Sequence, residues 1–282
     1  MTGHRAPYHR PMATRKPQST PLSTLSDRGF DLLFVSHADA VLAHDFPHAM
    51  IELERALANL ELPITEIIGS GGGETKFTQR LRRSLTAMEW HKHVFDITKT
   101  VDGVPKESTS HEIDHVRRFS KGVIALEIEW NNKDPFFDRD LENFKRLHAE
   151  GAISIGMLIT RGASLQTSMR NAVRRFASER GIESFDDLAA NGYSPTPKQR
   201  NNVLRRTTRA KGPVVFADAW TDNFVGNKYG QATTHWEKLM HRVQRGVGNP
   251  CPLVLIGLPA SMIRFDASKV DVLEDVDDVI PR

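Results

Sequence analysis

The chain has 282 residues, of which 39% are hydrophobic and 26% are charged, and its formal net charge is +3. A chain of this length can bury a full core, so one large domain is expected rather than two small ones. No run approaches the ~20 apolar residues of a membrane span, and no signal peptide is recognisable. The single cysteine, Cys251, excludes intramolecular disulfides and a zinc site built from several thiolates. These features predict a cytoplasmic protein.

The chain divides into three parts by composition. Residues 1–28 are rich in proline and basic residues and predict a disordered arm. Residues 29–265 carry the periodic apolar patterns of a folded domain. Residues 266–282 hold six acids against two bases and form an acidic tail.

The first half of the domain predicts a strand at residues 30–35, a helix at 46–60, a helix at 75–90 and a strand at 92–98. The glycine-rich stretch at residues 69–73 lacks the G-x-x-x-x-G-K-[ST] pattern of a phosphate-binding loop and is interpreted as a flexible connection.

Residues 110–117 and 122–130 alternate polar and apolar side chains and predict a β-hairpin. A turn centred on Ser120 and Lys121 places Asp114 opposite Glu127, and Glu112 opposite Glu129. Directly opposite side chains lie roughly 5 Å apart. Carboxylates this close repel one another unless a proton or a cation lies between them, and oxygen ligands suit Mg²⁺ or Mn²⁺. The alternative is a solvated acidic hairpin edge.

The second half predicts a helix after Asp134 and Pro135, which ends at Gly151, and then a buried strand at residues 152–160. A strand, helix and strand in this order make part of the sheet parallel. A helix at residues 165–180 and strands at 214–219 and 253–258 follow. The fold class is therefore α/β, a mixed β-sheet flanked by helices.

Basic residues concentrate between residues 161 and 211, where eleven Lys or Arg face four acids. They include Arg170, Arg174, Arg175, Arg205, Arg206 and Arg209. As a cluster they favour a polyanion such as double-stranded DNA, although a solvated helical face remains the alternative for each one.

Two polar blocks carry residue types that contact bases or phosphates. One directly follows the second hairpin strand, and the other lies between residues 221 and 245. The candidate DNA-binding residues are Asn131, Asn132, Lys133, Asn227, Lys228, Thr233, Thr234 and His235. No recognised spacing supports a zinc site at His111, His115 or His235.

An Asp followed on the next strand by Glu-x-Glu resembles the PD-(D/E)xK nuclease core, with Asp114, Glu127 and Glu129 in the three roles. The sequence W-N-N-K-D-P-F-F-D-R-D-L-x-N-F at residues 130–144 resembles the BglII restriction endonuclease family. Three more segments do so in the family's order: residues 151–161, 233–239 and 251–257. Two positions depart from the core pattern, because Ile113 replaces its proline and Glu129 its lysine.

The resemblance implies a restriction-endonuclease-like core and a type II enzyme that cuts both strands of a specific, short, palindromic DNA site with Mg²⁺, for which Mn²⁺ may substitute. Asp114, Glu127 and the carbonyl of Ile128 would be the metal ligands. Glu129 would either bind a second ion or accept a proton from the attacking water; Glu112 and Glu74 are weaker candidates.

The resemblance also implies a homodimer and a cognate DNA methyltransferase that acts on the same site. Two alternatives remain open: a structure-specific or repair nuclease of the same fold, and a DNA-binding protein that does not cleave.

Overall fold

The computed structural model describes residues 21–69 and 74–265. Its strands are β1 (Asp31–Val35), β2 (Leu62–Pro63), β3 (His91–Val101), β4 (Val104–Phe119), β5 (Gly122–Glu129), β6 (Ile155–Arg161), β7 (Leu253–Leu258) and β8 (Ile263–Arg264). Its helices are α1 (Ser23–Asp27), α2 (Ala38–Asp45), α3 (Pro47–Ala58), α4 (Ile64–Ile68), α5 (Lys76–Thr86), α6 (Phe136–Ala149), α7 (Ala163–Glu179), α8 (Phe185–Ala190), α9 (Pro197–Thr207), α10 (Phe216–Lys228) and α11 (Trp236–Gln244).

Six strands form one mixed sheet in the order β1-β7-β6-β5-β4-β3. The central strands β5, β6 and β7 are parallel to one another. Strand β1 pairs antiparallel with β7, and β3, β4 and β5 form an antiparallel meander. Helix α6 makes the crossover between β5 and β6, as the sequence predicts. The α/β fold class with helices flanking a mixed sheet is confirmed.

Both faces of the sheet are covered, which explains why β6 and β7 are buried along their whole length. One face packs against α3, α5, α7 and α10, and the other packs against α6 and α11. Alternate residues of β5 enter the two cores: Ile124 and Leu126 on the first face, Ala125 on the second. Glu127 and Glu129 continue the row of Ala125 toward the end of the strand.

The approach of α6 to the sheet depends on Gly156 in β6. A Cβ atom at this position would lie 2.6 Å from the ring of Phe144, well inside van der Waals contact. The absence of a side chain therefore lets the apolar face of α6 sit close against β6.

The predicted strands at residues 30–35, 92–98, 152–160 and 253–258 are confirmed, with shifts at their ends. The predicted strand at residues 214–219 is wrong, because helix α10 begins at Phe216. A short apolar run does not distinguish a strand from a buried helix, and here Trp220 and Phe224 continue it at helical spacing.

Helix α6 begins after Pro135, and Asp134 provides no side-chain cap. The carboxylate of Asp134 instead lies 3.5 Å from Arg242 of α11.

Parts of the predicted chain divisions lie outside the described residues, namely residues 1–20 of the arm, residues 70–73 of the glycine-rich stretch and the acidic tail at 266–282. Residues 21–28, assigned to the arm from composition, include helix α1, and the side chains of Leu22 and Leu25 are buried in the core. Among residues 21–69 and 74–265, no helix combines the length and apolar character needed to cross a membrane.

Candidate active site

The predicted hairpin register is confirmed next to the turn. Strands β4 and β5 pair in antiparallel fashion, from His115 opposite Leu126 to Phe119 opposite Gly122, around a turn at Ser120 and Lys121. The ladder ends there, one position before Asp114 and Glu127. Glu112 therefore does not pair with Glu129 as predicted, and its ladder partner is Val94 of β3.

Asp114 lies at the solvent-facing side of this end of the sheet. Its side chain is 53% exposed, and its Oδ1 lies 3.5 Å from Nζ of Lys92. The same amine lies 2.9 Å from Oε1 of Glu112. Lys92 of β3 therefore forms ion pairs with both Glu112 and Asp114 of β4.

Glu127 is buried, with 5% of its surface exposed. Burial, together with the charges of Asp114, Asp140 and Glu129, raises the pKa of its carboxyl to about 9. A hydrogen bond from the backbone of Asp114 opposes this shift only in part. In the absence of a cation, Glu127 is therefore protonated at neutral pH.

Glu129, the last residue of β5, is 3% exposed and is held by three side chains. The amide of Asn132 donates to its Oε2 at 2.7 Å, and Arg139 Nη2 lies 3.4 Å from its Oε1. The hydroxyl of Thr160 donates to its backbone carbonyl at 2.7 Å. Burial and the neighbouring Asp140 raise the pKa of Glu129 to about 8.

Asp140 is a fourth acid of this site that the sequence analysis did not identify. It is fully buried, and Arg139 Nε donates to its Oδ1 at 2.8 Å. Burial and the nearby charge of Asp114 raise the pKa of Asp140. A sequence signal existed, because Asp140 lies three residues after Phe137 and four before Phe144, on the apolar stripe of α6.

The donor types at this end of β5 fit a hard divalent cation. Glu127 and Glu129 are buried carboxyls whose pKa values are raised by burial and by neighbouring acids, which is the charge imbalance that a cation offsets. Within the described ranges, no three or more His, Cys, Asp or Glu side chains are gathered closely enough to hold an ion. Asp114 lies beside Lys92 instead.

The two predicted DNA-contact blocks meet at the end of β5. Lys133 and Thr233 form an antiparallel bridge. Around it, the Thr234 amide donates to the Asn132 carbonyl at 2.9 Å, and the Asn132 amide donates to Thr234 Oγ1 at 3.1 Å. These bonds attach residues 232–234 to the strand that carries the acids.

Not all residues of these blocks are accessible. Asn132, Lys133 and Asn227 are exposed, whereas Thr234 and His235 are 0% and 1% exposed. Thr234 supports the bridge, and the buried imidazole of His235 has its pKa lowered to about 4 by burial. Neither side chain lies at a surface that DNA could reach.

A cavity of about 420 Å³ lies beside the bridge. It is lined in part by four of the predicted DNA-contact residues, Asn131, Asn227, Lys228 and Thr233. Lys228 Nζ donates to the carbonyls of Ile67 at 3.1 Å and Gly69 at 2.5 Å, and burial lowers its pKa to about 8.

The basic cluster is partly neutralised by acids of α10. Arg170 and Arg206 both pair with Asp222, at 2.5 and 2.7 Å, and Arg174 pairs with Asp218 at 2.8 Å. The arginines therefore contribute less net positive field than their number in the sequence suggests.

Comparison with known proteins identifies the family. A search of curated proteins gave no match, but the sequence model of the family described as "Restriction endonuclease BglII/BglIII" matches residues 30–258. This match spans the sheet, the acids at the end of β5 and the bridge beside them. The chain therefore belongs to the BglII/BglIII family of restriction endonucleases, which are type II site-specific deoxyribonucleases.

Proposed function

We propose that this endonuclease hydrolyses both strands of a short palindromic DNA site with Mg²⁺, and that Asp114, Glu127 and Glu129 form its PD-(D/E)xK-type active site. The observation that carries the proposal is the burial of Glu127 and Glu129 at the end of β5, directly beside the polar segments that meet at the Lys133–Thr233 bridge. Buried acids with raised pKa values at a surface edge are typical of catalytic sites.

Asp114, Glu127 and the carbonyl of Ile128 would hold the ion. When bound, Mg²⁺, or Mn²⁺ in its place, supplies Lewis-acid stabilisation of the phosphoryl oxygens. The exposed carboxylate of Asp114 and the buried carboxyl of Glu127 are neighbours across β4 and β5, and the electrostatic repulsion between them supports their assignment to one ion.

Glu129 is suited to accept a proton. Once ionised, a carboxyl whose pKa is about 8 is a stronger base than an ordinary glutamate, and its pKa lies near the operating pH. In the proposed step, the water oxygen bonds to phosphorus and the water proton passes to a carboxyl oxygen of ionised Glu129. The bond from phosphorus to the leaving oxygen breaks, and that oxygen takes a proton from solvent water. Asn132 and Arg139 fix the orientation of this carboxyl.

The DNA would lie across the cavity and the bridge. Asn131, Asn132, Lys133, Asn227, Lys228 and Thr233 supply amides, amines and a hydroxyl, which are groups that contact base edges and phosphates. A palindromic site matches a two-fold symmetric protein, so we propose a homodimer. A methyltransferase that modifies the same site would protect the host DNA in the cytoplasm.

The test is digestion of phage DNA by purified protein, with and without Mg²⁺. Wild type is compared with Asp114→Ala and Glu127→Ala, and with Glu112→Ala as the matched control, since Glu112 is an exposed acid on the same strand that contacts the same lysine. We expect discrete fragments from wild type and Glu112→Ala only, and only with metal.

Other outcomes would reject parts of the proposal. Cleavage at branched or mismatched structures without discrete fragments would indicate a structure-specific or repair nuclease. DNA binding by wild type without cleavage of any substrate would indicate a protein that does not cleave. Discrete fragments from Asp114→Ala would remove that residue from the site.

A further inference from the structure

One arginine reaches into the acid cluster from the first turn of α6. Arg139 Nη2 lies 2.7 Å from Oδ1 of Asp140 and 3.4 Å from Oε1 of Glu129. Arg139 therefore contacts both a proposed catalytic acid, Glu129, and the buried acid beside it, Asp140. Its side chain is nevertheless 53% exposed.

The guanidinium of Arg139 is held on two sides. Asp140, fully buried on the apolar stripe of α6, accepts a hydrogen bond from Nε, and its Oδ1 lies 2.7 Å from Nη2. The ring of Phe136 lies 4.4 Å from the guanidinium carbon. None of these contacts uses Nη1, so one edge of a fixed guanidinium remains available at the surface beside Glu129.

Hydrolysis of a phosphodiester adds negative charge to the phosphoryl oxygens in the transition state. In this chain Glu129 stands where the PD-(D/E)xK pattern has lysine, so that position supplies an acid and no cation. When ionised, the acids Asp114, Glu127, Glu129 and Asp140 further repel a phosphate. A fixed cation next to the reacting group would offset both effects, and preorganised donors are most effective at such a position.

We propose that Arg139 is a further catalytic residue, which donates a hydrogen bond from its free edge to a non-bridging oxygen of the scissile phosphate, and that Asp140 is the positioning residue that fixes its guanidinium. This inference rests on the proposed function. Arg139 remains protonated throughout: it stabilises the charge on the phosphoryl oxygen while the water proton passes to Glu129.

The competing explanation is that Arg139 is only a counterion for buried Asp140. The two explanations differ in what the loss of Arg139 changes. Loss of a counterion would affect folding and the structure of the site before the reaction. Loss of a phosphate contact formed in the transition state would instead lower the rate at which bound DNA is cleaved.

The experiment measures single-turnover cleavage of cognate DNA with Mg²⁺, and DNA affinity separately with Ca²⁺ in place of Mg²⁺. Arg139→Ala is compared with Arg146→Ala, a control on the same helix two turns later, where Arg146 is 55% exposed and pairs only with Glu142 among the described residues. We expect cleavage by Arg139→Ala to fall about 10²-fold or more, as for loss of one transition-state donor. Its DNA affinity should stay within about threefold of wild type, and Arg146→Ala should match wild type in both measurements.

Chemical rescue supplies a readout that a structural role would not move. Because the Arg139 side chain is exposed, its removal in Arg139→Ala leaves a space that solvent can reach, and millimolar guanidinium should restore part of the cleavage rate. The rates of wild type and of Arg139→Lys should not rise with guanidinium. Asp140→Asn, which keeps the side-chain volume, should slow cleavage less than Arg139→Ala. Because the two residues act as one unit, the double variant should be no slower than Arg139→Ala alone.

Three results would overturn the inference: Arg139→Ala cleaving at a rate near that of wild type, a loss of DNA affinity as large as the loss of rate, or a lower rate that guanidinium does not restore while the melting temperature falls. Failure of wild type to cleave any DNA would instead reject the proposed function, so the two failures are distinguishable.

Discussion

Replacement of Glu127 by glutamine should abolish cleavage and make the metal-free protein more stable. The carboxyl of Glu127 holds a proton in the folded protein up to about pH 9 but in the unfolded chain only up to about pH 4.5. The stability associated with this proton is fully present below pH 4.5 and is lost progressively as the pH rises to about 9. Glutamine keeps the shape of the side chain and has no charge to bury.

The size of the effect follows from the pKa shift. Each pH unit inside this window lowers the free energy of unfolding by about 1.4 kcal/mol, so the penalty at pH 7 is about 3 kcal/mol and at pH 5 less than about 1 kcal/mol. For a domain of this size, 1 kcal/mol changes the melting temperature by about 2–4 °C. Glu127→Gln should therefore melt about 6–12 °C above wild type at pH 7, with a smaller difference at pH 5.

The assay is thermal unfolding of both proteins in a chelator at pH 5, 7 and 9. Glu112→Gln serves as a control, because the Glu112 side chain is 56% exposed and carries little burial penalty. Addition of Mg²⁺ should raise the melting temperature of wild type more than that of Glu127→Gln, since a charged carboxylate binds the ion more strongly than a neutral amide. A variant that melts below wild type at every pH, or a difference that does not grow with pH, would refute the reasoning.

Three further predictions concern the packing around the site and the oligomeric state. Gly156→Ala should lower the free energy of unfolding by about 1–3 kcal/mol in denaturant titration, because the new methyl would lie 2.6 Å from the ring of Phe144. Thr160→Val should cost about 1 kcal/mol, since the carbonyl of Glu129 loses the hydroxyl that donates to it, and should slow cleavage through the displaced acid. The native mass in sedimentation should be twice that of the 31.7 kDa chain, and a monomer that cuts both strands of one site would exclude the two-fold arrangement.

Much of the frame of the site could be predicted from the sequence because it depends on local patterns. The hairpin turn at Ser120 and Lys121 and the register beside it follow from period-2 alternation. The buried strand Leu253–Leu258 was predicted at its observed bounds, since a continuous apolar run has few other placements in a parallel sheet.

The remaining features depend on contacts between distant parts of the chain. The burial of Thr234 and His235 results from pairing of residues 232–234 with 132–134, which composition does not reveal. The apolar run at residues 214–219 is compatible with either a strand or a buried helix. Only its packing partners decide between the two, and in the structure a helix begins at Phe216. Asp140 was overlooked because a charged residue within an amphipathic helix is usually solvated, although its spacing placed it on the buried stripe.

The backbone bonds between residues 132–134 and 232–234 have a consequence for how this enzyme could acquire a new target sequence. Asn132 belongs to the proposed reading surface and at the same time holds the carboxyl of Glu129 at 2.7 Å. A substitution selected to read a different base would also release the acid that performs the chemistry. New specificity must therefore arise by coordinated change of both segments, and swapping either one alone between relatives should give proteins that bind DNA but cut it slowly.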